Sequence, residues 1–91
     1  MEIIKYLGNK LSEKLEITPP AGRGLIKLAI KDELGPFKSL EMTSYEDLEV
    51  VIKNSLKQRF EYLKIDNSTN LIEYLLDELN SNQSLITIGG I

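Results

Sequence analysis

The side chains able to do chemistry fall into three small groups. Glu73 and Asp77 stand four residues apart, with Glu78 beside them. On a helix that spacing puts two carboxylates on one face, where they could hold a divalent cation or do acid–base work. Ala21-Gly22-Arg23-Gly24 sets two glycines around an arginine near a helix start. Backbone N–H groups there could cradle an anion, with Arg23 as counter-charge. Lys53, Lys57, Arg59 and Lys64 form a basic series that could meet phosphate or an acidic partner.

Each group also has a plain structural explanation, and that explanation carries more weight. An exposed helix face does nothing to separate the pKa values of two carboxylates, so the acidic pair reads as solvated surface. The glycine cluster lacks the spacing and the lysine-hydroxyl ending of a Walker loop. It reads as a place where a second helix packs closely. The basic series, offset locally only by Glu61, reads as another solvated face.

The chain has no His, no Cys and no Trp. General acid–base work most often uses His, and covalent work needs an activated nucleophile. The hydroxyl groups lie at expected caps and turns, where they have local hydrogen bonds to make. An enzyme is therefore the least supported class, and no catalytic residue, cofactor or metal ligand is assigned. Without cysteine there is no disulfide framework and no structural zinc of the usual kind. The expectation is a cytoplasmic chain. No apolar run approaches the ~20 residues of a membrane span, and Lys5, Lys10 and Lys14 interrupt the apolar positions that a signal peptide would need.

The positioning elements are easier to read. Ile3, Ile4, Leu7, Leu11 and Leu15 make a one-sided stripe over a helix at 2–16. Thr18-Pro19-Pro20 closes it and starts the next, because proline is tolerated in a first helical turn. That second helix runs over 19–34 and stops at Gly35-Pro36. Residues 25–30 would also suit a strand, but the ending favours helix. Leu40 and Met42 alternate with polar neighbours over 39–43, the period of a short strand. Ser44 to Asp47 starts a third helix running to about 63, striped by Leu48, Ile52, Leu56 and Phe60. Leu71, Ile72, Leu75, Leu76 and Leu79 stripe a fourth over 68–80, and Leu85 to Ile88 reads as a second short strand over 84–88. The predicted core is Leu25, Ile26, Ala29, Ile30, Leu48, Ile52, Leu56, Phe60, Leu63, Leu71, Ile72, Leu75 and Leu79.

The fold class is thus mainly α: a compact bundle of about four helices with one or two short strands, in a single helical domain of 91 residues. A domain of this size buries roughly 60–65% of its unfolded surface. The element order resembles a winged-helix domain with a shortened wing. In that arrangement the fourth helix would enter the major groove. It carries Glu73, Asp77 and Glu78 and no Lys or Arg, so it would repel phosphates and could not make the arginine–guanine contact.

The net charge of −3 also disfavours a polyanion partner. What remains is a non-enzymatic module for protein interaction or oligomerisation, of the kind used in regulation and signalling. Its partner would be another protein or a second copy of itself, with nucleic acid disfavoured and no membrane involved. The candidate interface is the chain ends: Ile4, Leu7 and Leu11 on the first helix, and Leu85, Ile86 and Ile88 on the terminal strand, which lacks an obvious partner within the chain.

Overall fold

Thr18 and Gly35 bracket the second helix as their chemistry requires. The computed structural model describes residues 2–37 and 39–89, the side chains of 41 and 87–89 excepted. Helix α1 spans Glu2–Leu15 and α2 spans Pro19–Leu34. The Thr18 hydroxyl accepts a bond from the Ala21 N–H at 3.4 Å, and Pro19 and Pro20 fill the first turn. Gly35 ends α2 at φ 87°, a conformation costly for any residue with a Cβ, and its N–H bonds back to the Lys31 carbonyl at 2.9 Å. Residues 25–30 are helical throughout.

The third predicted helix is one continuous rod in three parts: α3 (Tyr45–Val51), a π-helical turn (Ile52–Leu56) and α4 (Lys57–Tyr62). Ser44 starts it with a complete capping box. Its hydroxyl accepts from the Asp47 N–H, and the Asp47 carboxylate accepts from the Ser44 N–H, each at 3.1 Å. The π turn follows from the stripe. Leu48, Ile52, Leu56 and Phe60 recur every fourth residue, whereas an α-helix has 3.6 residues per turn. Each step overshoots by about 40°, so three steps would carry Phe60 about 120° round the rod. A turn closed by i→i+5 bonds holds an extra residue and brings the stripe back. All four side chains are fully buried, with Val51 and Ser55 also turned inward.

Helix α5 (Ser68–Ser81) returns along this rod, and α6 (Ser84–Gly89) follows a two-residue turn. The neighbours close a ring: α1 packs on α2, α2 on α3 and the π turn, the rod on α5, and α5 on α1. Helix α1 runs antiparallel to both α2 and α5. Gly8 and Ser12 face Gly22 and Arg23 across the α1–α2 hairpin, while Tyr6 reaches Glu78 and Lys14 lies over the Tyr74 ring on α5. The end of α2 meets the second half of the rod, Glu33 against Ser55 and Asp32 against Arg59, in a compact helical bundle. Its radius of gyration is 11.9 Å, close to the ~12 Å of a compact chain of this length.

The strands at 39–43 and 84–88 do not form; no strand occurs among the described residues. Leu40–Met42 is a 3-10 turn. Residues three apart line up in that geometry, so half-buried Leu40 and buried Thr43 point inward while Met42 points out. The alternation of this short segment fits either structure. Ser84–Gly89 is helical because a short apolar run has no period of its own to choose with. As a helix it satisfies its backbone without a partner strand. With both strands gone, the winged-helix order is gone as well.

The predicted core holds with two departures and one addition. Leu63 is 50% exposed, because α4 ends at Tyr62 before the stripe completes another turn. Leu25 is only half-buried at the edge. The addition is large: Ile3, Ile4, Leu7, Leu11 and Val51 are all buried with the rest.

Two stability measurements follow. Leu56→Ala should cost ~2–5 kcal/mol in urea unfolding, the usual range for emptying a buried leucine site. The glycines of α2 should split. A Cβ on Gly22 would land on the Ser12 hydroxyl and the Gly8 carbonyl, whereas one on Gly24 meets nothing within 4 Å. Gly22→Ala should therefore lose ~1–3 kcal/mol, and Gly24→Ala should gain ~0.5–1 kcal/mol of helix propensity. Equal responses at the two positions would refute the close α1–α2 seam.

Candidate functional site

Three of the six candidate interface residues lie inside the bundle. Ile4, Leu7 and Leu11 are buried inside the bundle, with exposures of 2%, 0% and 0%. The physical reason is the α1–α2 seam. Gly8, Gly22 and Ser12 present so little side chain that the two backbones meet closely, and the α1 stripe is drawn into the ring. The Ser12 hydroxyl lies 2.7 Å from the Gly8 carbonyl and 3.1 Å from that of Thr18, so the connection is held as well as packed. Leu85 and Ile86 pack half-buried against the same core from α6. Ile88 falls on α6 too, with its side chain outside the described ones.

Arg23 is taken up by the α1–α2 seam. Its backbone and Cγ occupy the space over Gly8, and its guanidinium donates to Asn9 Oδ1 at 3.1 Å. The first turn of α2 offers little to a phosphate, since Pro19 and Pro20 lack N–H groups and those of Ala21 and Gly22 already bond to Thr18. The basic series is divided. Arg59 pairs with Asp32 of α2 at 2.7 Å, and Lys53 with Glu49 at 3.6 Å on its own rod. Lys57 and Lys64 are exposed, Lys64 beyond the helix end. Glu73 and Asp77 are both exposed on α5, and no group of three metal-binding side chains occurs among the described residues.

Two tyrosines tie distant elements to the last turn of α5. Tyr6 of α1 donates to Glu78 Oε2 at 2.5 Å. Tyr45, at the start of α3, donates to Asn80 Oδ1 at 3.4 Å. The Glu78 bond, and then burial, hold the Tyr6 hydroxyl protonated above its usual 10.0. Burial first, and then the Glu49 carboxylate, raise Tyr45 in the same direction. Ser55, buried in the π turn, donates to Glu33 Oε1 at 3.0 Å, and the Arg59 Nε beside this seam is buried without a partner.

Apolar side chains left in water mark a different feature. Phe37 is 99% exposed and Met42 is 72% exposed. Both lie on the connection from α2 to α3, whose far side leads into Tyr45 and its contact with Asn80 at the end of α5. The connection is pinned. Leu40 and Thr43 anchor it inward, the Met42 and Thr43 N–H groups bond to the Ser39 and Leu40 carbonyls, and the Ser44 capping box fixes its far side. Tyr62 and Leu63, 86% and 50% exposed, sit at the end of α4.

Comparison with known protein families, with curated proteins and with solved structures gives no match. Among the described residues, no helix is long and apolar enough to cross a membrane.

Sequence reasoning missed Phe37 altogether and placed Met42 in a strand. A signal existed: an aromatic directly after the helix stop Gly35-Pro36 has no periodic stripe to join. The tyrosine contacts had none, since Tyr6 and Glu78 are 72 positions apart.

The raised tyrosines give a pH dependence of stability. A group whose folded pKa lies above its unfolded value contributes fully below the unfolded value and loses that contribution as pH rises through the folded one. Stability should hold up to about pH 10 and then fall as Tyr6 and Tyr45 are forced to ionise. Tyr6→Phe should flatten that alkaline decline, read by urea midpoints across the range. A decline of unchanged steepness would remove Tyr6 from the account.

Proposed function

We propose that this chain is a small protein-interaction module that engages its partner through the α2–α3 connection bearing Phe37 and Met42. The observation that carries this reading is the pinned display of two large apolar side chains in water. A loop free to fold them away would do so, because burying either gains about 1.5–3 kcal/mol. Here Leu40 and Thr43 take the inward positions and leave the other two outside. An aromatic and a methionine on one short connection suit recognition, methionine because its flexible thioether adapts to a partner's surface.

The non-enzymatic reading rests on where the hydroxyl groups are spent. Thr18 and Ser44 cap helices, Ser12 and Thr43 bond to backbone carbonyls, and Ser55 is buried against Glu33. Nucleic acid is disfavoured because Arg59 and Lys53 already face carboxylates and α5 is acidic on its outer face. A second copy is the simplest partner to test. A regulatory, cytoplasmic setting is part of the same proposal, consistent with a cysteine-free chain.

Sedimentation from low to high micromolar concentration tests self-association, and Phe37→Ser with Met42→Ser tests the surface. Weight-average mass should rise with concentration in the wild type and stay monomeric in the double variant. Folding stability should move by no more than ~0.5 kcal/mol, as expected of exposed positions. A wild type that is monomeric throughout would remove the second copy as partner.

A further inference from the structure

The hinge between α5 and α6 is only Asn82 and Gln83, and it is held from two sides. On one side the Glu78 Oε2 that receives Tyr6 lies 3.4 Å from the Asn82 amide nitrogen, which also donates to the Glu78 carbonyl at 2.8 Å. On the other side the Asn80 Oδ1 that receives Tyr45 also receives the Gln83 amide at 3.0 Å, and the same amide lies 3.2 Å from the Asn80 carbonyl. The two acceptors stand on the last turn of α5. Each joins one tyrosine from a neighbouring helix to one amide of the hinge.

The segment beyond the hinge depends on these contacts. Helix α6 has six residues, far below the ~12–15 that an isolated helix needs to persist in water. It packs on α1, and its described apolar side chains, Leu85 and Ile86, are only half-buried. The ring of α1, α2, the α3–α4 rod and α5 closes without it. An element with few buried contacts, attached at one end to a closed core, belongs to the low-stability part of a fold and opens by itself.

We infer that α6 is a hinged latch that opens and closes over α1 as a unit while the four-helix ring stays folded, and that the two tyrosine relays are its clasps. Closing seats Leu85 and Ile86 and completes both relays. Opening withdraws the Asn82 and Gln83 amides from Glu78 and Asn80. Each tyrosine acts on the latch only through the acceptor that it shares with the hinge. The Glu78 relay is the stronger, because its acceptor is charged and its tyrosine bond is short.

Amide hydrogen exchange of the full chain, followed residue by residue, tests this. The Leu85 and Ile86 N–H groups bond to the Asn82 and Gln83 carbonyls at 3.0 Å and report the closed latch. Leu75 and Phe60, inside α5 and α4, report the ring. In the wild type the α6 pair should be protected yet exchange faster than the ring pair. Asn82→Ala should speed the α6 pair on the order of tenfold, the effect of one lost bond to a charged group, and leave the ring pair within about twofold. Gln83→Ala should act in the same direction by a smaller factor. Tyr6→Phe should raise α6 exchange more than ring exchange. Combined with Asn82→Ala it should add less than its separate effect, because both act through Glu78. Exchange of α6 and the ring at one common rate that shifts in step would overturn the latch. So would unprotected α6 amides in the wild type, or an Asn82→Ala variant with unchanged α6 exchange. Full additivity of Tyr6→Phe and Asn82→Ala would overturn the relay.

Discussion

The contact on which the rest depends is the meeting of α1 and α2 through Gly8, Gly22 and Ser12. A Cβ at Gly22 would fall on the Ser12 hydroxyl and the Gly8 carbonyl, and one at Gly8 on the Arg23 backbone. Only the absence of side chains lets these backbones come together, and dispersion contacts reward that closeness atom by atom. Once α1 lies against α2, its stripe of Ile3, Ile4, Leu7 and Leu11 is inside the ring, and α5 can pack on its other flank. A larger residue at either glycine would hold α1 off and leave the same stripe as a surface.

The long rod answers a different constraint. Its apolar residues recur at an interval longer than an α-helical turn, so a regular helix would spread them around the surface. The π turn at Ile52–Leu56 absorbs the mismatch in the middle of the rod, where α2 and α5 both lean on it. The same turn carries Ser55 inward to Glu33, next to the Arg59–Asp32 pair. The polar groups along this seam are the local consequence of keeping the stripe continuous.

Two local features stand apart from this packing. The α2–α3 connection holds Phe37 and Met42 in water, and the α5–α6 hinge sits between two tyrosine relays. The two features differ in kind. One is a fixed apolar display, and the other is a short helix attached by a hinge whose amides are bonded at both residues.

Much of this fold is legible in the chain because its signals are local. Thr18 before two prolines, Gly35 before Pro36, and Ser44 three residues before Asp47 mark helix ends by hydrogen bonds within a few residues. The stripes at Ile26 to Ile30, Leu48 to Phe60 and Leu71 to Leu79 name their own buried faces. Short segments without a decisive period were misread: 39–43 and 84–88 suit a strand or a helix equally until something packs on them. The candidate site was less legible still. A stripe such as Ile4, Leu7 and Leu11 states that it must be covered, and cannot state whether the cover is α2 and α5 or another molecule. The close approach at Gly8 and Gly22 decided that, and the long-range meeting of Tyr6 with Glu78 and Tyr45 with Asn80 decided where α6 is tied. Sequence determines which surfaces are apolar through the chemistry of single residues. Tertiary structure decides which of them stay in water, because that depends on how closely distant segments can approach.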